Sequence, residues 1–388
     1  MRNCFLIVLL NWISFLLLHC AALEFITTPE QIKKNGYPAE SHQVITEDGY
    51  FLTMHRIPSS PKFPTNKKKP VVFLQHWFGG SSADWVFFGP EKSLGYLLAD
   101  AGYDVWLGNN RGNTYSSNHT TYSITSHKYW DFSFHEMGVY DLPVVIDYIL
   151  NKTREPNLYY VGISMGTTMF FIFASERPEY NRKIRLMIAL APMVFVDKST
   201  SSIFAGPVNT LTSILRITDV YGIRRGKANE ILSNYVCTDR ALRTNCVDIL
   251  FSVVGYDPKQ LNESILQKFL TYFPEAISVK CLLHYFQLYT TGGFHQYDYG
   301  EKVNMVKYNQ RLPPQYNLKA VTSKVVLVYA TNDRLSKVQN VQQLNKVLPN
   351  PVEMYQVPHP SFNHVDYIIG KDVKTLLNDN IINMIKKY

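Results

Sequence analysis

The sequence predicts an α/β fold with a mostly parallel central sheet and one long, mainly helical insertion. Three observations carry this. Several runs are almost wholly apolar over strand length, at 71–76 (VVFLQH), 103–107 (YDVWL), 158–161 (LYYV), 185–190 (RLMIAL) and 324–330 (KVVLVYA). Strands buried on both faces read this way, and parallel sheets are made of them. Segments of helical periodicity alternate with these runs, as βα units require. The alternation stops near Asp197 and resumes at Lys324, so the residues between form an insertion in one α/β unit rather than a separate chain end.

The elements follow in order. Residues 1–22 read as a secretion signal: Arg2 supplies the positive start, 5–18 the apolar stretch, and Cys20-Ala21-Ala22 the small residues before cleavage. No later apolar stretch reaches membrane-spanning length, so no stable transmembrane anchor is expected. Residues 43–57 read as a hairpin around Asp48-Gly49, a strong turn signal. A Pro- and Lys-rich loop at 58–70 precedes the first buried strand. Helices are expected over 94–101, over 134–150 with Pro143 interrupting it, and over 167–176. After the insertion come a last strand at 352–357 and a last helix at 373–385. The expected layout is therefore signal 1–22, core 23–196, helical cap 197–314 and core again 315–388.

At 388 residues, 46% hydrophobic and 18% charged, the chain is an ordered globular protein with a large core. Its net charge of +8 is scattered, apart from Lys67-Lys68-Lys69 and Arg224-Arg225, so no nucleic-acid-binding stripe is expected. Losing the signal lowers that charge by one. Neither CxxC nor HExxH occurs, and no metal or cofactor is expected. Cys237 and Cys246 close a short loop and are the natural disulfide of an oxidising compartment, worth roughly 2.5–3 kcal/mol by loop closure. Cys281, in an apolar helical stretch with no histidine arranged near it, reads as a buried free thiol. Three N-glycan acceptors fit secretion: Asn118-His119-Thr120, Asn151-Lys152-Thr153 and Asn262-Glu263-Ser264.

Gly162-Ile163-Ser164-Met165-Gly166 fits G-x-S-x-G between an apolar run and a helix. In that context the pattern is a nucleophile elbow, a tight turn that holds a serine in strained geometry with its hydroxyl exposed. A side chain at 162 or 166 would collide where strand and helix converge. A serine nucleophile needs a base and a carboxylate that orients it. In chain order, two histidines follow the resumed sheet, His359 and His364. Two carboxylates lie at strand ends, Asp197 and Asp333. Asp366 is a third, too close to His364 in sequence to orient its ring. The oxyanion needs two amides. Met165 supplies one from the elbow, and the loop 76–80 (HWFGG) should supply the other. His76 precedes the nucleophile and reads as structural.

Further stretches carry a resemblance: Asn35-Gly36-Tyr37-Pro38, Thr46-Glu47-Asp48-Gly49-Tyr50, Asp104-Val105-Trp106-Leu107-Gly108-Asn109-Asn110-Arg111-Gly112-Asn113, Trp130-Asp131-Phe132-Ser133, and Phe362-Asn363-His364-Val365-Asp366-Tyr367. Together they span the mature chain, which resembles the acid lipases, the gastric, lysosomal and insect secreted lipases. The resemblance implies an α/β-hydrolase core under a helical cap and lid, and hydrolysis of neutral lipid esters at a lipid–water interface. It places Ser164 on the nucleophile, Asp333 on the acid, His364 on the base, the Phe78 and Met165 amides on the oxyanion hole, and Cys237 and Cys246 on the cap disulfide. It implies a secreted or lysosomal protein. Three departures stand out, and Trp77 with the altered elbow gives a second reading, a lipid-binding protein with weak or no catalysis, while Lys337 reads as a surface change near the site. Ile163 and Met165 stand where the family has His and Gln, Trp77 where it has Gly, and Lys337 where Asp is common. Trp77 is expected to shift the Phe78 amide or narrow the acyl entrance. Residues 203–217 are a candidate lipid-facing stretch of the cap.

Overall fold

A computed structural model describes residues 25–63, 68–196, 221–223, 243–261 and 263–388. The signal segment, residues 203–217, Asp197, Cys237 and Asn262 lie outside the described residues, as does the side chain of Cys246. The main sheet has eight principal strands: β1 (Glu40–Ile45), β2 (Tyr50–Ile57), β3 (Val71–Gln75), β4 (Asp104–Leu107), β5 (Leu158–Ile163), β6 (Ile184–Leu190), β7 (Val325–Tyr329) and β8 (Pro351–Gln356). Their spatial order is β1-β2-β4-β3-β5-β6-β7-β8. β1, β2 and β4 pair antiparallel, and from β4 onward every neighbour is parallel. A two-residue strand, Asn118–His119, adds to β2. The hairpin begins three residues earlier than its sequence signal, because Glu40 pairs with Arg56 through both a ladder position and an ion pair.

Burial follows from strand alternation. Along β5, Leu158 and Tyr160 join the apolar cluster on one face of the sheet, and Tyr159, Val161 and Ile163 join the cluster on the other. Both faces are covered, so the strands carry no polar stripe. On the first face lie α3, built from Phe134–Glu136, a π turn over Met137–Asp141 and Leu142–Thr153, and α4 (Met165–Glu176). Every residue of α4 from Met165 to Ser175 is buried, which explains its lack of an amphipathic pattern. At about 1.5–3 kcal/mol for each large apolar side chain, this helix is a major anchor. The second face holds α1 (Thr28–Lys34), α2 (Leu94–Asp100) and α10 (Asp379–Lys387), with Phe251, Phe269 and Tyr272 of the insertion in the same apolar cluster.

Pro143 does not end α3. It leaves the carbonyl of Val139, four residues earlier, without its helical donor, and Arg177 Nη1 donates to that carbonyl at 3.3 Å. The described part of the insertion is helical: α5 (Arg243–Val254), α6 (Glu263–Tyr272), α7 (Val279–Thr291) and α8 (Glu301–Tyr308). A two-residue ladder joins Gly222–Ile223 to Ile277–Ser278. α9 (Val338–Val347) follows β7. Cys281 on α7 is buried and unpaired, and burial pushes its thiol pKa well up, as expected of an inert core thiol. Asn118 and Asn151 are exposed, as glycan acceptors must be. Among the described residues no helix is long and apolar enough to cross a membrane.

One buried cation ties the loops together. Arg111, 1% exposed, donates through Nε to both oxygens of Asp141 on α3 at 2.9 and 3.0 Å. Its Nη2 donates to Asp48 in the β1–β2 turn at 2.9 Å, and its guanidinium lies 4.0 Å over the Tyr50 ring. Breaking a buried pair leaves a charge with no compensation. Arg111→Met is therefore expected to lower unfolding free energy by about 3–5 kcal/mol, read as a fall in the denaturant midpoint at unchanged slope.

Candidate active site

Ser164 is the hinge between β5 and α4. Its backbone sits at φ 50° and ψ −115°, a left-handed conformation that costs a non-glycine residue on the order of 1–3 kcal/mol. The neighbours hold it there. The Ser164 amide donates to the Leu190 carbonyl at 2.9 Å, and Thr167 Oγ1 donates to the Ser164 carbonyl at 2.6 Å. The helix is drawn tightly against β3: a Cβ on Gly166 would stand 2.5 Å from the Gln75 carbonyl oxygen. One on Gly162 would stand 2.9 Å from the Gly166 carbonyl. Both glycines are required by contact. Sheet topology adds the location, since strand order reverses about β3 and the loops after β3 and β5 open the crevice where α/β sheets bind ligands.

Three loops converge on the serine. His364, in the turn after β8, places Nε2 2.9 Å from Ser164 Oγ. Its Nδ1 faces Asp333, at 2.8 Å from Oδ2 and 3.1 Å from Oδ1. A carboxylate there keeps the proton on Nδ1 and leaves Nε2 free to accept from the hydroxyl. Asp333, in the loop after β7, is itself held by the Leu335 and Ser336 amides, each 2.8 Å from Oδ1. Ser164, Asp333 and His364 are all nearly inaccessible, at 6%, 3% and 2% exposure. Desolvation strengthens each of these polar contacts.

The rival residues stand elsewhere. His359 Nε2 pairs with Asp257 Oδ2 at 2.7 Å. Asp366 Oδ2 accepts the Asn363 amide at 2.8 Å and does not meet the His364 ring. His76 is structural. Its Nδ1 donates to the Trp77 carbonyl at 2.8 Å and its Nε2 accepts the Asn110 amide at 3.0 Å. Burial holds its pKa at about 4, so it stays neutral and keeps both bonds. Phe78, Gly79, Met165 and Asn110 line one small cavity of about 10 Å³, so the loop after β3 and the start of α4 do meet. Met165 is the first residue of α4, where amides lack partners inside the helix.

The departures have local explanations. Ile163 and Met165 are buried, one in each apolar cluster, so both side chains belong to the core. The Trp77 indole N–H donates to Asp84 Oδ2 at 3.0 Å. Its ring packs 5.1 Å from Phe273 and 5.9 Å from Phe269 of the cap, and 6.3 Å from His364. The indole is thus committed to joining the loop after β3 to the cap. Lys337 is half-buried at the start of α9.

Sequence reasoning missed the brace behind the base. The cap segment after α5 runs between the acid and base loops and meets both through its backbone. The Val254 carbonyl accepts from the Arg334 and His364 amides, each at 3.3 Å. The Gly255 carbonyl accepts from Asn363 Nδ2 at 3.0 Å, and the Tyr256 carbonyl from Asn332 Nδ2 at 3.1 Å. Gly255 has φ +114°, and a Cβ there would stand 2.1 Å from the Asn332 carbonyl. Asn332 and Asn363 flank Asp333 and His364 in sequence, and that adjacency was the available signal. Nothing local marks residues 254–256.

Residues 28–89 match a family described as a partial α/β-hydrolase lipase region, and residues 70–215 match the α/β hydrolase fold. Lipase 3 of Drosophila melanogaster is 39% identical, with 92% of each chain covered. The lysosomal acid lipase/cholesteryl ester hydrolase of Macaca fascicularis is 39% identical over 91% of this chain and 89% of the relative. The gastric triacylglycerol lipase of Bos taurus is 39% identical over 90% and 88%. Among solved structures, a soluble variant of Saccharomyces cerevisiae monoglyceride lipase superposes with a TM-score of 0.56 at 14% identity, over 94% and 96% of the two chains. An epoxide hydrolase from Vigna radiata does so at 0.52 and 14%, over 90% and 99%. At that identity the likeness is one of fold, which hosts several chemistries.

Gly255→Ala is expected to push the acid and base loops apart. A displacement near 1 Å at reacting groups costs roughly 10²-fold in rate. Labelling of Ser164 by a fluorophosphonate should slow by about that factor while far-ultraviolet circular dichroism stays unchanged.

Proposed function

The chain belongs to the lipase family that includes the gastric, lysosomal acid and Drosophila lipases, and on that premise we propose that it hydrolyses neutral lipid esters through an acyl-enzyme on Ser164. The observation that carries this is the unbroken hydrogen-bonded series Ser164–His364–Asp333 at a strained strand–helix turn. Ser164 Oγ attacks the ester carbonyl as its proton passes to His364 Nε2. Asp333 steadies the imidazolium that forms. The Phe78 and Met165 amides hold the oxyanion. His364 then protonates the departing alcohol, and a water activated by the same ring releases the fatty acid. Triacylglycerols and sterol esters are the favoured substrates, by analogy with the activities that the gastric and lysosomal relatives are named for.

Residues 197–314 serve as the cap and lid over this site, between the core segments 23–196 and 315–388. A signal at 1–22, glycans at Asn118, Asn151 and Asn262, and a Cys237–Cys246 disulfide belong to the same reading of a secreted protein, with the lysosome as the alternative destination. A lipid surface is its working partner. α8 and the turn after it expose Val303, Met305, Val306 and Leu312, the last two at 86% and 74%, beside the exposed Lys302, Lys307 and Arg311. Apolar side chains among cations suit an anionic lipid interface.

Two outcomes are expected. Ser164→Ala should abolish fluorophosphonate labelling and cut ester hydrolysis at least about 10³-fold across pH 4–8, on short soluble esters and emulsified triacylglycerol alike. Residual turnover near the parent rate would remove Ser164 from the mechanism. Val306→Asp with Leu312→Asp should lower the rate on emulsions several-fold and leave that on soluble esters unchanged, and equal loss on both would take α8 out of interfacial binding.

A further inference from the structure

The loop that carries the Phe78 amide is held from two sides, and one of them belongs to the insertion. Trp77 to Gly80 form a β-turn: the Gly80 amide donates to the Trp77 carbonyl at 3.2 Å, and Gly79 takes the positive φ, +70°, that glycine supplies. On the core side, Asp84 Oδ2 accepts the Trp77 indole N–H and the Ser81 amide, each at 3.0 Å. On the other side come residues 273–275. The Glu275 amide donates to the Gly79 carbonyl at 2.7 Å. A Cβ on Gly79 would stand 3.2 Å from the Phe273 ring, and that ring packs 5.1 Å from Trp77.

These bonds run in series. A peptide group is planar and trans, so its N–H and its C=O point in opposite directions. The Glu275 N–H holds the carbonyl of the Gly79–Gly80 peptide. The N–H of that same peptide holds the carbonyl of the Trp77–Phe78 peptide, which also accepts from His76 Nδ1 at 2.8 Å. The N–H of the Trp77–Phe78 peptide is the Phe78 amide, the donor assigned to the oxyanion. Fixing the carbonyl end of a planar group fixes the direction of its N–H end. Each bond also polarises the next, so the completed series makes the last N–H a stronger donor.

The Glu275 side chain fastens the first member of the series to the core. It is 1% exposed, and its Oε2 accepts from Thr114 Oγ1 at 2.6 Å and from the Thr114 amide at 3.2 Å. Thr114 belongs to the loop after β4, 161 residues away in sequence. Three residues beyond Glu275, Ser278 Oγ donates to the Trp130 carbonyl at 2.8 Å, so the segment is tied down at both ends. We propose that Glu275 is a positioning residue for the oxyanion donor: its carboxyl group, held by Thr114, places the amide that aims the Phe78 N–H through the Gly79–Gly80 peptide. The proposal rests on the reading of Ser164 as the nucleophile and of Phe78 as an oxyanion donor. Glu275 meets the reaction only by way of that amide. Its contribution therefore appears as the ester carbonyl becomes an oxyanion, and not as the ester binds.

The test is kcat and KM for a short soluble ester, with the Ki of phenylboronic acid, in the full-length parent, Glu275→Ala, Glu275→Gln and Thr114→Val. Addition of Ser164 Oγ to the boron gives a tetrahedral anion, so the Ki reports the oxyanion hole. Both halves of ester hydrolysis pass through a tetrahedral oxyanion, so kcat reads the defect whichever half is slower. Losing an oxyanion donor outright costs about 10²–10³-fold in kcat, and a misdirected one should cost about tenfold. Glu275→Ala and Thr114→Val should therefore lower kcat about tenfold, leave KM within about twofold, and raise the Ki by about the factor that kcat falls. Glu275→Gln removes the charge and keeps an oxygen for Thr114, so it should stay within about twofold of the parent in all three. A folded Glu275→Ala with parent kcat would overturn the proposal. So would a raised KM at unchanged kcat, a lowered kcat at unchanged Ki, or a Glu275→Gln as slow as Glu275→Ala. If Glu275→Ala does not fold by circular dichroism, Thr114→Val, at an exposed position, decides by the same criteria. A parent that hydrolyses no ester would instead overturn the reading of Ser164, and the role of Glu275 with it.

Discussion

The approach of α4 to β3 is the constraint on which the site depends. Backbone meets backbone there, with room for nothing larger than hydrogen at Gly166. That closeness forces a turn too sharp for ordinary φ at Ser164, lifts the hydroxyl out of the sheet, and brings the first amide of α4 beside the loop after β3. The strain is tolerable because α4 is buried along almost its whole length. A helix with so much apolar surface removed from water has stabilisation to spare against a few kcal/mol of backbone strain. Fold and reactivity meet in this one element: its apolar body secures the core and its first residues shape the chemistry.

Much of this was legible in the sequence because the signals are local. Apolar runs of strand length marked the sheet, and each appears in it within a few residues. The elbow pattern, an aspartate after β7 and a histidine after β8 are each visible as short motifs, and the three side chains stand within hydrogen-bond reach of one another. The choice between His359 and His364 was not local. Position favoured His364 only modestly, and the resemblance was needed. The structure supplies the physical difference, since His359 is held by Asp257 of the insertion.

What stayed illegible depends on contacts between distant segments. Residues 254–257 carry no motif, yet they sit between the acid and base loops and bond to both. Pro143 reads as a helix break. Its effect is absorbed because Arg177, 38 residues beyond Val139, happens to face the freed carbonyl. Trp77 reads as an obstacle at the acyl entrance, and its indole donates to Asp84 and packs at a tilt against Phe273 and Phe269. In each case a residue was judged by its own bulk or backbone rule, while its partner lay far off in sequence.

The brace around Gly255 has a consequence for how this protein can change over evolutionary time. Its four hydrogen bonds to the core, at residues 254, 255 and 256, are accepted by carbonyl groups that every amino acid possesses. The brace itself therefore asks nothing of the exposed side chain at 256, while Val254 is held by core packing and Gly255 by sterics. Residue-by-residue conservation will understate the importance of such a segment. Its signature is geometric, and it is inherited through the path of the main chain.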